Sequence, residues 1–369
     1  MKIKLLFALI TFGFFSLGVN AKIVITDGKS GTPLPKASIF DRNGIFIAVT
    51  DNEGMMPSSV VSENYPLNVR YVGYTPVEIS SPDAGTVAME ESIYELPEIT
   101  VDEVSRNLLY IQAYLREYAN AVDTKDTLSY FTEKIIDFVL PMSKKAKYKG
   151  WDKSRTLAQR NYSHIIKDRG KNRLDTLRYS ENIEGRGSNF GLTEEYVFPQ
   201  PLLEGEVSNL EIPGKYWTED YWTKVGDRYI LRRDYLHDKK DHVESPAAMK
   251  LIGASTDFIK DERMFNFSPD ANGKVRMDQI DEISYFNDFI LKGKAWKMIS
   301  EQKGEIPIQV FGEVYVIDRA YLTADEAKEL KKNPPVIEAS FDVPAHVPSP
   351  PEKVANLKNA VTEKAGKSH

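Results

Sequence analysis

The sequence predicts a mainly β chain, with a seven-stranded N-terminal β-sandwich followed by a larger β-rich region with few helices. Three observations predict it. Between Lys22 and Val101, short β-branched and aromatic runs recur between Gly, Pro, Asn and Asp turns. Further on, longer runs rich in β-formers cover Thr127 to Leu140 and Ile308 to Asp318. A capped helical pattern stands out at one place, after Thr323. The 369 residues are enough for two domains, each with its own core.

Composition narrows the class. With 41% hydrophobic and 28% charged residues, the chain reads as a soluble globular protein. Its formal charge of −6 becomes −8 once Lys2 and Lys4 leave with a leader, which argues against nucleic-acid binding. That leader is Met1 to Ala21: two lysines, an apolar run from Leu5 to Val19, and the small residues Val19 and Ala21 at a cleavage site. The apolar run is short for a membrane-spanning helix. Cysteine is absent, so neither a disulfide framework nor a lipid-bearing N-terminal cysteine is expected. No other stretch reads as a transmembrane helix, and the polar end EKVANLKNAVTEKAGKSH does not read as the closing strand of a membrane barrel. The expected location is the periplasm or the outer-membrane periphery.

The first module divides into strands in order. Lys22 to Thr26 opens it, and Asp27 to Pro35 is a turn-rich loop. Ala37 to Asp41 and Ile45 to Thr50 flank Arg42-Asn43-Gly44, a hairpin signal because Asn and Gly tolerate positive φ. After the Asp51 to Gly54 turn, Leu67, Val69 and Tyr71 alternate with Asn68, Arg70 and Val72 and set one row inward. Gly73 lets the chain bend before Pro76 to Ile79. Thr86 to Met89 and Glu98 to Val101 bring the count to seven.

Four pieces of this stretch carry a resemblance: Thr26-Asp27 with Thr32-Pro33-Leu34-Pro35-Lys36-Ala37; Thr50-Asp51-Asn52-Glu53-Gly54; Val69-Arg70-Tyr71-Val72-Gly73-Tyr74; and Leu96-Pro97-Glu98-Ile99-Thr100-Val101. In this order over Lys22 to Val101 they resemble the carboxypeptidase-regulatory-like module, a transthyretin-like β-sandwich of Gram-negative envelope proteins. The resemblance implies a structural or interaction module with no peptidase zinc set. Met55-Met56-Pro57 departs from the family where a strand usually follows the Asp-Gly turn, so that strand is expected to be short or displaced. Glu98 to Val104 echoes a TonB-contacting box, but a last strand and linker explain it without a plug or barrel downstream.

The second region, 105–343, is expected to be β-rich. Leu108 to Tyr118 fits two periods: Leu108, Ile111, Leu115 and Tyr118 suit a helix, while Leu109, Ile111, Ala113 and Leu115 suit one face of a strand. A strand is the expectation. Asp123 to Asp126 is a turn, and Thr127 to Leu140 is a long strand stopped by Pro141. These two segments are similar to the region that follows the module in a group of uncharacterised envelope proteins. Met264 to Phe267 and Lys274 to Met277 are expected to form a hairpin around Asn272-Gly273, with further strands at Ala295 to Ser300 and Ile308 to Asp318. Thr323-Ala324-Asp325-Glu326 caps a helix running to Lys332, before Pro334-Pro335. The proline-rich and charged stretch 344–369 is expected to be a disordered tail.

Candidate chemistry is sparse. Lys144 to Arg155 interleaves cations with Tyr148 and Trp151; it would suit an anionic surface, but a solvated loop is expected. Gly185 to Gly191 lacks the strand, helix and Lys-Ser/Thr pair of a phosphate loop. His237 and His242 fit neither helical nor strand spacing for a metal, and the segment from Ser268 carries Gln279 where a calcium loop needs a glutamate. Tyr216 to Tyr235 is the aromatic centre. Exposed, its rings would stack on sugar faces beside carboxylates; buried, they would fill a core. The candidate binding residues are therefore Trp217, Glu219, Asp220, Tyr221 and Trp222. No catalytic residue, metal or cofactor is assigned.

The function expected from the sequence is a non-catalytic binding or interaction protein of the cell envelope, with an envelope protein or glycan as partner. Two alternatives stand beside it. One is a carbohydrate-active hydrolase with its site near Trp217 to Trp222, since paired carboxylates need no local motif. The other is an accessory subunit of a TonB-dependent transporter docking through the first module.

Overall fold

A computed structural model of the chain describes residues 22–92, 106–122, 126–142, 146–151, 153–169, 172–182, 190, 198–214, 218–237, 253–270, 272–293, 305–337 and 341–366. The chain is mainly β.

Six short strands build the first module: β1 (Val24–Asp27), β2 (Ser38–Phe40), β3 (Phe46–Val49), β4 (Leu67–Arg70), β5 (Val77–Ile79) and β6 (Thr86–Met89). β1 and β6 pair in parallel, and the other four form an antiparallel sheet in the order β3-β2-β4-β5. The seventh expected strand, Glu98 to Val101, lies outside the described residues. Polar side chains fix the turns between strands. The Asp27 carboxylate accepts from the Ser30 N–H and hydroxyl at 2.5 and 2.6 Å. Asp41 Oδ1 accepts from the N–H groups of Asn43 and Ile45, and Asp51 Oδ1 does the same for Glu53 and Met55. Buried Thr50 donates to the Leu34 carbonyl at 2.7 Å and accepts from the Ala37 N–H at 2.9 Å, tying the Thr32 to Ala37 segment to the Thr50 turn. After that turn Met55 makes one bridge, to Val24, and no strand.

The second unit is one ten-stranded antiparallel sheet. Its strands are β7 (Leu108–Val122), β8 (Asp126–Pro141), β9 (Arg155–Arg169), β10 (Asn172–Asn182), β11 (Asn209–Pro213), β12 (Glu219–Val225), β13 (Arg228–Asp234), β14 (Ala254–Phe267), β15 (Ile280–Gly293) and β16 (Ile306–Leu322). Their order is β10-β9-β8-β7-β16-β15-β14-β13-β12-β11, two meanders joined where the first and last strands, β7 and β16, pair at the centre. Among the described residues the α-helices are α1 (Gln200–Leu203), α2 (Ala324–Lys332) and α3 (Glu352–Gly366). The chain does reverse around Asn272-Gly273 to pair Phe267 with Ile280, but the second strand starts at Ile280: of the expected Lys274 to Met277, residues 274–276 are in no strand and Met277 opens a 3-10 turn, Met277–Gln279. The expected strand Ala295 to Ser300 lies outside the described residues.

Both faces of the central strands are covered, which explains why Leu108 to Tyr118 fits two periods. Leu109, Ile111, Ala113 and Leu115 join Val314, Ile283, Phe265 and Leu231 on one face, closed over by Phe190, Phe198 and Leu202. On the opposite face, Leu108 and Tyr110 lie under α2 with Val139 and Trp151. Tyr114 lies under Phe341 and Val347, and Tyr118 faces the module and α3. Every residue of both the helical and the strand pattern is therefore buried. Gly312 serves a close approach on the first face: the Tyr285 ring crosses it, and a Cβ there would lie 2.1 Å from Cζ. The crossing lets the Tyr285 hydroxyl donate to Glu117 at 2.5 Å.

Two expectations need correction. The stretch 344–369, expected to be a disordered tail, holds α3, whose Val361 is buried against Phe131 and Tyr162. Val354, Leu357 and Val361 recur at helical spacing, and this apolar stripe outweighs the charged composition. The basic run ending at Arg155 is also not a plain solvated loop. Trp151 is buried, Arg155 stacks on its ring at 4.0 Å, and Arg155 pairs with Asp137 while donating to the Leu330 and Lys331 carbonyls at the end of α2. Lys144 and Lys145 lie outside the described residues.

Candidate functional site

On the module-bearing face, directly opposed residues form rows across six strands. One row is aromatic: Tyr179 opposes Tyr162, then Phe131, Tyr118, Phe311 and Phe286 follow in register. Neighbouring rings in this row include Phe131 with Tyr162 at 5.8 Å, Tyr118 with Phe131 at 5.3 Å and Tyr118 with Phe311 at 6.0 Å, contacts worth about 0.5–1.5 kcal/mol each. Two residues along five of these strands lies a row of alternating charge, Glu181, Arg160, Glu133, Arg116 and Glu313, which ends at Ser284 on β15. On the other side of the aromatics is a polar row, Leu177, His164, Ser129, Asn120, Gln309 and Asp288. Strand geometry makes such rows possible, because residues i and i+2 share a face and antiparallel register brings partners side by side.

The charged row holds the parts of the molecule together. Glu313 takes Arg70 of the module at 2.5 Å and Arg116 of β7 at 2.6 Å, all three side chains being buried, and Tyr118 donates to it at 2.9 Å. Arg70 and Arg116 also donate to the Ser349 and Pro348 carbonyls at 3.0 and 2.5 Å, which anchors the chain leading into α3. Burial alone would raise the Glu313 carboxyl, but Arg116 and Arg70 hold it down at about 2. One row position away, Glu282 accepts from the Gly73 N–H at 2.6 Å. Burial, reinforced by the charge on Glu313, outweighs the Gly73 N–H, Arg116 and Arg228 and pushes it up to about 8. Gly73 needs its glycine for this contact, with φ of 79° and a Cβ position 2.7 Å from Arg228 Nη1 and 2.8 Å from Asn266 Nδ2. Further along, Glu133 gathers the Tyr114 hydroxyl at 2.7 Å, Arg160 at 3.1 Å and Lys358 of α3 at 2.9 Å. Burial opposes ionisation of Glu133, yet Arg160 and Lys358 keep its carboxyl below the usual range.

Between these fixed parts lies a cleft of about 280 Å³. Its floor combines Tyr118 and Phe131 of the aromatic row with Asn120, Ser129, His164 and Leu177 of the polar row. The module contributes Asn43 and Gly44 from the tip of its β2–β3 hairpin, and α3 contributes Lys353, Val354, Asn356, Leu357 and Ala360. Most of the lining is apolar, and no described lining residue is an aspartate or glutamate. His164 Nε2 lies 2.7 Å from Asp175 Oδ1.

The candidates named from the sequence do not converge. Trp217 lies outside the described residues. Trp222 is buried in the opposite face against Phe198 and Phe267, at ring distances of 5.0 and 6.3 Å, so it is a core residue. Tyr221, its neighbour on β12, points the other way, with Lys36 Nζ 5.5 Å from its ring. Glu219 and Asp220 likewise part company. Glu219 meets His237 Nδ1 at 2.8 Å, and Asp220 takes a two-point contact from Arg233 at 2.5 Å on each oxygen. A carboxylate pair facing across a gap is not what these residues form. His242 lies outside the described residues, and among those described no group of three or more His, Asp or Glu side chains is placed to hold a metal.

The cleft residues form no contiguous motif in the sequence, because they are contributed by the β2–β3 hairpin, by four strands of the large sheet and by α3. One signal was present: Val354, Leu357 and Val361 mark the helix that roofs the site.

No known protein family matches the chain, and no curated protein matches it. Among solved structures it is similar to one of lipovitellin, described for its lipid–protein interactions, at 7% identity and a TM-score of 0.27. That match covers 60% of this chain and 26% of the lipovitellin chain, so the chain spans about a quarter of that structure.

Proposed function

We propose that this is an exported, non-catalytic binding protein of the cell envelope that holds a small ligand in the cleft between module, sheet and α3. The observation that carries the reading is the cleft's construction: three separate parts of the chain wall it, and ion pairs to the buried carboxylates of Glu313 and Glu133 fix those parts to one another. Ligand sites are typically preformed, mostly apolar concavities with a few placed polar groups, and this one has both an aromatic and a polar row in its floor. In this reading the first module is of the carboxypeptidase-regulatory-like kind and serves as one wall, with its Gly73 to Tyr74 corner turned toward the sheet.

Two measurements test the proposal. Fractionation of producing cells should place the chain in the periplasmic or outer-membrane fraction, with a mature N-terminus at Lys22. Native mass spectrometry and thermal shift of the mature chain, against charged and neutral amphiphiles and soluble envelope glycans, should reveal a ligand bound one to one. A cytoplasmic, uncleaved chain would refute export, and an unshifted chain across the panel would refute binding.

A further inference from the structure

Resting on the binding reading above, we propose that the cleft takes a free, monoanionic amphiphile with one short apolar body and a single carboxylate-like head. Size sets the body. At about 280 Å³ the cleft has about twice the volume of a roughly 150 Å³ cavity that holds benzene, which leaves room for about ten to twelve non-hydrogen atoms. Phe131, Leu177 and Leu357 line this space with apolar surface that a hydrocarbon or aryl group would cover.

Charge sets the head. The protein carries a formal charge of −6, yet no described residue lining the cleft is acidic. Among the described lining residues, the two able to carry positive charge are His164, which Asp175 engages, and Lys353, which makes no ion pair among the described residues. Lys353 sits in the first turn of α3, one residue before Val354 and one turn before Leu357, so a head held at the lysine leaves its body against the apolar stripe of the helix. A cation at a site whose described lining holds no acidic residue discriminates by head charge, while the body contributes most of the affinity.

The test compares decanoate, decan-1-ol and decylammonium, three probes with the same apolar body and different heads, by isothermal titration of the full mature chain below their micellar concentrations. The expected order is decanoate tightest, decanol next, decylammonium weakest. Lys353→Gln is a surface change that leaves the fold intact. It should weaken decanoate by about three- to fivefold, as an exposed ion pair would, and leave decanol unchanged. Leu357→Trp, which fills the cleft, should weaken decanoate and decanol alike by at least about tenfold. Equal binding of all three probes, or a preference for decylammonium, would overturn the anionic head while leaving a ligand-binding cleft in place. Binding of none would overturn both. Decanoate binding untouched by either substitution would move the ligand elsewhere and refute the assignment.

Discussion

Glu282→Gln gives the sharpest test of how the module is seated. In the folded protein burial, with the charge of Glu313 behind it, pushes the Glu282 carboxyl up to about 8 from an ordinary 4.5. The folded chain therefore holds this proton where the unfolded chain has lost it. An acid whose folded value is raised stabilises fully below its unfolded value, and that stability drains away as pH rises toward the folded value. From about pH 5 to about pH 7 the slope approaches 1.4 kcal/mol per unit, so this group costs about 2–3 kcal/mol over the window. Glutamine keeps an oxygen for the Gly73 N–H, which lies 2.6 Å from the carboxylate, and it cannot ionise. The assay is urea unfolding of both proteins at several pH values. The wild-type stability minus that of the variant should fall by about 2–3 kcal/mol between pH 5 and pH 7. A difference that is flat or rises with pH would refute the account, since every other titrating group is common to both proteins.

Other perturbations address the remaining contacts. Glu313→Gln strands two buried guanidinium groups and should cost about 3–5 kcal/mol in urea unfolding. In the wild type the Glu313 contribution should be lost as pH falls from about 4.5 toward 2, the reverse direction from Glu282. Gly312→Ala drives a methyl into the Tyr285 ring, 2.1 Å from Cζ. It should cost about 1–3 kcal/mol in thermal unfolding, and much less when the same change is made in a Tyr285→Ala background. Val361→Asp places a charge against Phe131 and Tyr162; limited proteolysis should then remove α3 from a sheet that remains folded. Thr323→Ala removes the hydroxyl that accepts from the Glu326 N–H at 3.3 Å and should cost about 1 kcal/mol.

Legibility from sequence followed the range of the interactions. The module's strands and turns were readable because they depend on neighbours: the Asp41 and Asp51 carboxylates cap N–H groups two and four residues on. The Thr323 cap was readable for the same reason, since it closes on Glu326. The described part of the aromatic stretch is divided by the pleat, which sends Trp222 into the core and Tyr221 to the other face. α3 was misjudged because composition hid a stripe whose value appears only when Phe131 and Tyr162 lie beneath it.

The sequence by itself therefore determined the mainly β class, six of the seven strands expected in the first module and the capped helix, all of which depend on local periodicity and on hydrogen bonds a few residues long. Only the tertiary structure decided the site. Glu181, Arg160, Glu133 and Arg116, from four consecutive strands, and the distant Glu313 form one alternating row, and Asn43, His164 and Lys353, from distant parts of the chain, line one cleft. The physical reason is antiparallel register. Which residue stands opposite which is set by pairing between strands, and a shift of one position would send every side chain of these rows to the other face.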